Sequence, residues 1–97
     1  MFYENKSLHF DPDWCQAPGV HIKEDMSSRS MTISDMAVCM LMSPSEIEDL
    51  LVGNIKINKL IANQLESVLG GTARIWLNLE KNYRAGLKKG LKDVTNG

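Results

Sequence analysis

The alternation of apolar and polar positions is sharpest in residues 32–53. Met36, Ala37 and Met40 fall at i, i+1 and i+4, and Ile47, Leu50 and Leu51 at i, i+3 and i+4. Each set therefore lies along one side of a short helix. Both helices carry a start signal. Thr32 and Ser43 are hydroxyl N-caps followed three residues on by an acid, Asp35 and Glu46, so cap and acid can satisfy each other's backbone N–H. Pro44 suits a first helical position, where its missing N–H costs nothing, and Gly53 suits the residue just past a helix end. Only Leu41 and Met42 remain between the two, so the chain must turn sharply, and Ala37 is small enough to let the helices cross closely.

The remaining periodicity is helical as well. Residues 18–28 form a first helix opened by Pro18-Gly19, with Ile22 and Met26 on a common face and Val20 beside them. Asn58 caps a helix that runs to about residue 69, lined by Ile61, Leu65, Val68 and Leu69 and stopped by Gly70-Gly71. Thr72 caps the last and longest, on which Ile75, Trp76, Leu79 and Tyr83 recur at spacings of three and four; the Tyr83 hydroxyl needs a partner if buried. Gly86 and Gly90 weaken that helix, and Thr95-Asn96-Gly97 should fray.

The first seventeen residues have no helical period, yet hold Phe2, Tyr3, Phe10 and Trp14, with a turn signal at Asp11-Pro12-Asp13. The expectation is an all-α, five-helix domain over residues 18–87. A partly ordered aromatic arm (1–17) precedes it and a basic, fraying tail (88–97) follows, with at most a short extended segment near the N-terminus.

Composition narrows the classes. Ninety-seven residues with 43% hydrophobic and 24% charged side chains describe one globular domain, small enough for dimerisation to help its stability. No apolar run reaches the roughly 20 residues that span a bilayer, and the start does not read as a signal peptide, so a cytoplasmic location is expected. Cys15 and Cys39 fit a reducing compartment, Cys39 as a small core residue on the apolar side of its helix. His9 and His21 lack a metal-ligand spacing to each other or to the cysteines, so no metal and no cofactor is expected. Met31, Met36, Met40 and Met42 read as core filling. No carboxylate pair, nucleophile arrangement or phosphate loop stands at a spacing that catalysis demands, so an enzyme is not expected. The net charge of −1 excludes a dedicated non-specific nucleic-acid binder, although the end of the chain is basic and the middle acidic.

A helix, a tight corner and a second helix make the outline of a helix-turn-helix, whose second helix lies in the DNA major groove. Any small helical bundle shares that outline. More specific is the run Trp76-Leu77-Asn78-Leu79 followed by Tyr83. Together with Pro18-Gly19, Ile22, Glu24, Ala37, Ser43-Pro44-Ser45, Ile47, Leu50-Leu51, Gly53, Ile57, Ala62, Leu65 and Leu69-Gly70, it resembles the HigA/VapI-type antitoxins within the Cro/phage-repressor helix-turn-helix class. The likeness covers about residues 18–83. It implies a five-helix DNA-binding domain that is usually a homodimer and represses its own operon. It also implies capture of a small RelE/HigB-like ribonuclease toxin.

Two departures from that family stand out. The corner carries Leu41 where glycine is usual, and the face that would read bases carries Glu46, Glu48 and Asp49 with no cation. On this reading Ser43, Ser45, Glu48 and Asp49 face the groove. Arg29, Thr32 and Lys56, with the basic tail, flank it on the phosphates, while Trp76, Leu79 and Tyr83 serve a dimer or partner interface. The alternative is a module that kept the fold and gave up the groove, its acidic helix facing a basic protein.

Overall fold

A computed structural model describes residues 14–95. Among the described residues five helices carry the fold: α1 (Gly19–Ser28), α2 (Ile33–Met40), α3 (Pro44–Leu51), α4 (Lys59–Leu69) and α5 (Ala73–Lys88). Two short strands, β1 (Trp14–Cys15) and β2 (Lys92–Asp93), pair in parallel with Trp14 opposite Lys92 and Cys15 opposite Asp93.

Local chemistry explains where the helices begin. Thr32, Ser43, Asn58 and Thr72 hold extended backbone, and each side chain accepts the N–H three residues on, from Asp35, Glu46, Ile61 and Ile75. A cap of this kind contributes about 1 kcal/mol. Helix α1 has no such bond and starts instead behind Pro18, which carries no N–H to satisfy.

The core is built from one stripe per helix. Ile22, Met36, Met40, Ile47, Leu50 and Leu65 are sealed from solvent, and Trp76 of α5 closes the same cluster against α4. Methionine fills the centre as its spacing suggests, with Met31 and Met42 half-buried beside Met36 and Met40. Two backbone contacts fix how the helices meet. Gly19, at the start of α1, lies directly on the Leu51 carbonyl at the end of α3, so close that a side chain there would overlap the Leu51 backbone. Gly53, just past α3, takes a φ of 88° and is pressed against Ala17 and Tyr83.

Two expectations are corrected. Cys39 is exposed, and the buried cysteine is Cys15. The buried sector of α2 is set by Met36, Ala37 and Met40. With about 100° of turn per residue, position 39 falls outside that sector. Second, the tail does not fray at residue 88. It turns back after Gly90, pairs with β1 at Lys92–Asp93 and is tied down as far as Thr95. Cys15 and Ala17 form a small second cluster with Tyr83, against which Leu91 packs. The aromatics Phe2, Tyr3 and Phe10, the Asp11-Pro12-Asp13 turn and His9 lie outside the described residues, as do Asn96 and Gly97.

Candidate nucleic-acid interface

The α2–α3 unit is closed at its corner by backbone. Leu41 adopts the left-handed conformation, φ 56° and ψ 43°, and the Met42 N–H returns to the Ala37 carbonyl at 3.0 Å. A leucine in this region carries strain of about 1–2 kcal/mol. The turn turns its side chain outward, 88% exposed, which explains how a residue other than glycine is accommodated. Gln64 of α4 donates to the Met40 carbonyl at 2.9 Å and holds the end of α2 in place.

Helix α3 buries Ile47, Leu50 and Leu51 and leaves its other side open. Ser43, Ser45, Glu46 and Glu48 are exposed and Asp49 is half-buried. Ser45, Glu48 and Asp49 stand at i, i+3 and i+4 and share that open face.

Both helix starts are already occupied. The Thr32 N–H donates to Asp35 Oδ2 at 2.9 Å, and the Ser43 N–H donates to Glu46 Oε1 at 2.8 Å. The two hydroxyls in turn accept from the Asp35 and Glu46 N–H groups, each at 3.1 Å. These bonds, backbone first, hold the Asp35 carboxyl below its ordinary pKa. The N-cap N–H of each helix is thus taken by a carboxylate of the chain itself, which sets a negative charge where an incoming phosphate would approach. The hydroxyl protons of Thr32 and Ser43 remain available as donors.

The cations assigned to the rim divide. Lys56 is exposed on the connection after α3. Arg29 instead donates to the Leu69 carbonyl at 2.6 Å and so ties the end of α1 to the end of α4. The three residues assigned to a partner interface divide too. Trp76 and Tyr83 are 5% and 4% exposed and belong to the interior, which leaves Leu79, half-buried, to face outward.

The residues that hold the loop bearing Lys56 were not singled out by sequence. Arg84 of α5 donates to the Gly53 carbonyl at 2.7 Å and reaches the Ile55 carbonyl at 3.5 Å. Its other side pairs with Glu80, whose Oε2 accepts the Arg84 Nε–H while Oε1 is buried without a partner among the described residues. The guanidinium also stacks over the Tyr83 ring at 4.9 Å. A signal was present, because Trp76, Glu80 and Tyr83 stand at i, i+4 and i+7, and an acid on an apolar stripe asks for a buried cation.

On the far side of Tyr83 a second polar group closes the chain ends. The Tyr83 hydroxyl donates to Asp93 Oδ2 at 2.6 Å, the Thr95 N–H donates to Asp93 Oδ1 at 3.0 Å, and the Ala17 N–H donates to Thr95 Oγ1 at 2.8 Å. Burial pushes the Asp93 carboxyl up, but the bonds from Thr95 and Tyr83 outweigh it and leave its pKa below the ordinary value. Burial, then the bond to Asp93, raises the Tyr83 phenol. A depressed folded pKa gives stability that is present above the unfolded value and is lost as pH falls through the folded one. Asp93→Asn is therefore expected to flatten the loss of Tm between neutral pH and about pH 3; an acid limb identical to that of the unaltered chain would refute the clasp.

Among the described residues no helix is long and apolar enough to cross a membrane, and no three His, Cys, Asp or Glu side chains gather as a metal site would require. No known protein family matches the chain, and no curated protein sequence is significantly similar to it.

Proposed function

We propose that α2, the Leu41 corner and α3 form a helix-turn-helix of the Cro/phage-repressor type. On this proposal the chain is a sequence-specific DNA-binding regulator of the HigA-like antitoxin kind. The observation that carries the reading is the uncovered face of α3. Ser43, Ser45, Glu48 and Asp49 run along it at the solvent side, behind a corner held by Gln64 and ahead of a loop held by Arg84.

In this role α3 enters the major groove. The Ser43 and Ser45 hydroxyls donate to phosphate or base edges, Glu48 and Asp49 accept from cytosine amines, and Thr32 and Lys56 contact the backbone. Two copies would meet a near-palindromic operator with half-sites about 34 Å apart. The chain would repress its own operon and neutralise a small RelE/HigB-like ribonuclease toxin.

The test is binding of the purified protein to the DNA upstream of its own gene, followed by fluorescence anisotropy across a salt series. Glu48→Lys removes one repulsive charge and adds one attractive one near the phosphates. Non-specific affinity is expected to rise about tenfold at low salt, with a steeper salt slope. An unchanged affinity and slope would mean that this face never approaches DNA.

One observation favours a second reading. The carboxylates of Asp35 and Glu46 fill both helix starts from within, and Glu48 and Asp49 add to the same acidic side. A surface of that charge suits a basic protein partner, and the chain would then be an interaction module without DNA binding. Specific binding to the upstream DNA rules this out; binding of a basic partner with no DNA shift selects it.

A further inference from the structure

Behind the exit of α3 the two ends of the described chain meet and form a strap over α5. Strands β1 and β2 have two residues each, and a pair that short is not stable on its own. Its anchors extend past the ladder. The Val94 N–H donates to the Cys15 carbonyl at 2.9 Å, the Ala17 N–H donates to Thr95 Oγ1 at 2.8 Å, and Asp93 accepts from the Tyr83 hydroxyl. Cys15 is seated on Gly86 of α5, with its Cβ 2.9 Å from where a β-carbon on that glycine would stand.

Two observations set this strap apart from the rest of the domain. Its apolar contacts, Cys15, Ala17 and Tyr83 with Leu91, form a cluster separate from the one that Ile22, Met40 and Leu65 share. The strap can therefore open while the main core stays packed. The chain also enters it through Gly90, whose φ of 81° is left-handed and whose β-carbon, if present, would meet nothing within 4 Å among the described residues. Gly90 is thus placed there by its backbone freedom and not by packing, as a hinge requires.

The strap also bears on the turn after α3. A β-carbon on Gly53 would lie 2.9 Å from both the Ala17 Cβ and the Tyr83 hydroxyl, so the Gly53 backbone is wedged against these two groups. Both are held by the tail, Ala17 through Thr95 and Tyr83 through Asp93. Arg84 holds the same turn by the Gly53 carbonyl. With the strap closed the turn is clamped by all three; with it open only the Arg84 bond keeps its anchor.

We propose that the strap is a conformational latch, which opens about Gly90 as a unit of its own and in opening loosens residues 53–57, the turn that follows α3 and bears Lys56. By linkage, a ligand that draws either chain end out of the pair loosens the exit of α3 without touching it, and one that orders the turn tightens the strap. The latch does not depend on DNA binding, and its test contains no DNA.

The test is native-state amide hydrogen exchange of the full chain across a series of low urea concentrations. Ala17 and Val94 report on the strap, Asn54, whose N–H donates to the Asp49 carbonyl at 2.8 Å, on the turn, and Leu65 inside α4 on the core. Ala17, Val94 and Asn54 should share one urea slope, shallower than that of Leu65. Gly90→Ala strains the closed hinge without a clash and should speed all three together by about tenfold. Thr95→Val, which removes the acceptor of the Ala17 N–H, should speed the same three in concert. Strap amides with the slope of Leu65 would mean that the strap opens only when the domain unfolds, and would overturn the proposal. An Asn54 amide that follows Leu65 instead of Val94, or stays unmoved in both variants while Val94 accelerates, overturns the coupling on which the latch rests.

Discussion

Replacing Gly19 with alanine is expected to remove about 3 kcal/mol of stability, a large share of what a domain of this size possesses. A β-carbon on Gly19 would lie 1.9 Å from the Leu51 carbonyl oxygen and 2.3 Å from its carbon, and both are backbone atoms that no rotamer change can move. Helix α1 would have to lift from α3, drawing Ile22 and Met26 out of the core. The sign makes the test informative. Helix propensity alone favours alanine over glycine by about 1 kcal/mol, so a stabilised variant would show that the two helices do not meet here. Urea unfolding reads the change as a lower midpoint at unchanged slope.

Arg84→Met should cost about 3 kcal/mol, the usual penalty for removing one partner of a buried ion pair. The Glu80 side chain is 9% exposed and would be left with no cation beside it. The Gly53 carbonyl would lose its donor at the same time. Changing Glu80→Leu together with Arg84→Met should recover most of the loss, since an apolar pair of similar volume removes the stranded charge. Recovery should stop short of complete, because the loop carbonyls still lack a donor. A double-mutant cycle measures the coupling, and additive single effects would refute a shared buried network.

The loop held by Arg84 bears Lys56, so the same substitution reaches the candidate interface through the backbone rather than through any contact with a ligand. Arg84 adds to the basic charge towards the end of the chain. Its work is done inward, between α5 and the turn that follows α3. Arg29 repeats the lesson, as a cation assigned to the rim that instead caps the end of α4. A formal charge is visible in a sequence, but where a long flexible side chain sets it down depends on which carbonyls the fold brings within reach.

Elements whose cause is local were legible from the start. The capping boxes at Thr32 and Ser43, the Asn58 and Thr72 caps, the proline opening α3 and the stop at Gly70 all rest on interactions within a few residues. Periodicity gave the inward side of α3 and the Met36, Ala37 and Met40 stripe of α2 for the same reason, whereas on α4 it gave Leu65 and Leu69 but missed Ala62, with Ile61 and Val68 only half-buried. Where the apolar stripe was broader than the available core, it misled: Cys39 stands in water, and Ile75 is half-exposed although it continues the Trp76–Tyr83 pattern.

The amino-acid order by itself determined five helices, their starts and stops, and an acidic open side on α3, because caps, turns and helical period act between neighbours. Only the tertiary structure decided that residues 14–15 and 92–93 would pair, that Arg84 would reach the Gly53 carbonyl, and that Gly19 would rest on Leu51. Each of those is a meeting of segments far apart in the chain, governed by how closely two backbones approach and by which polar atoms are left without water. That information exists only once the helices have packed.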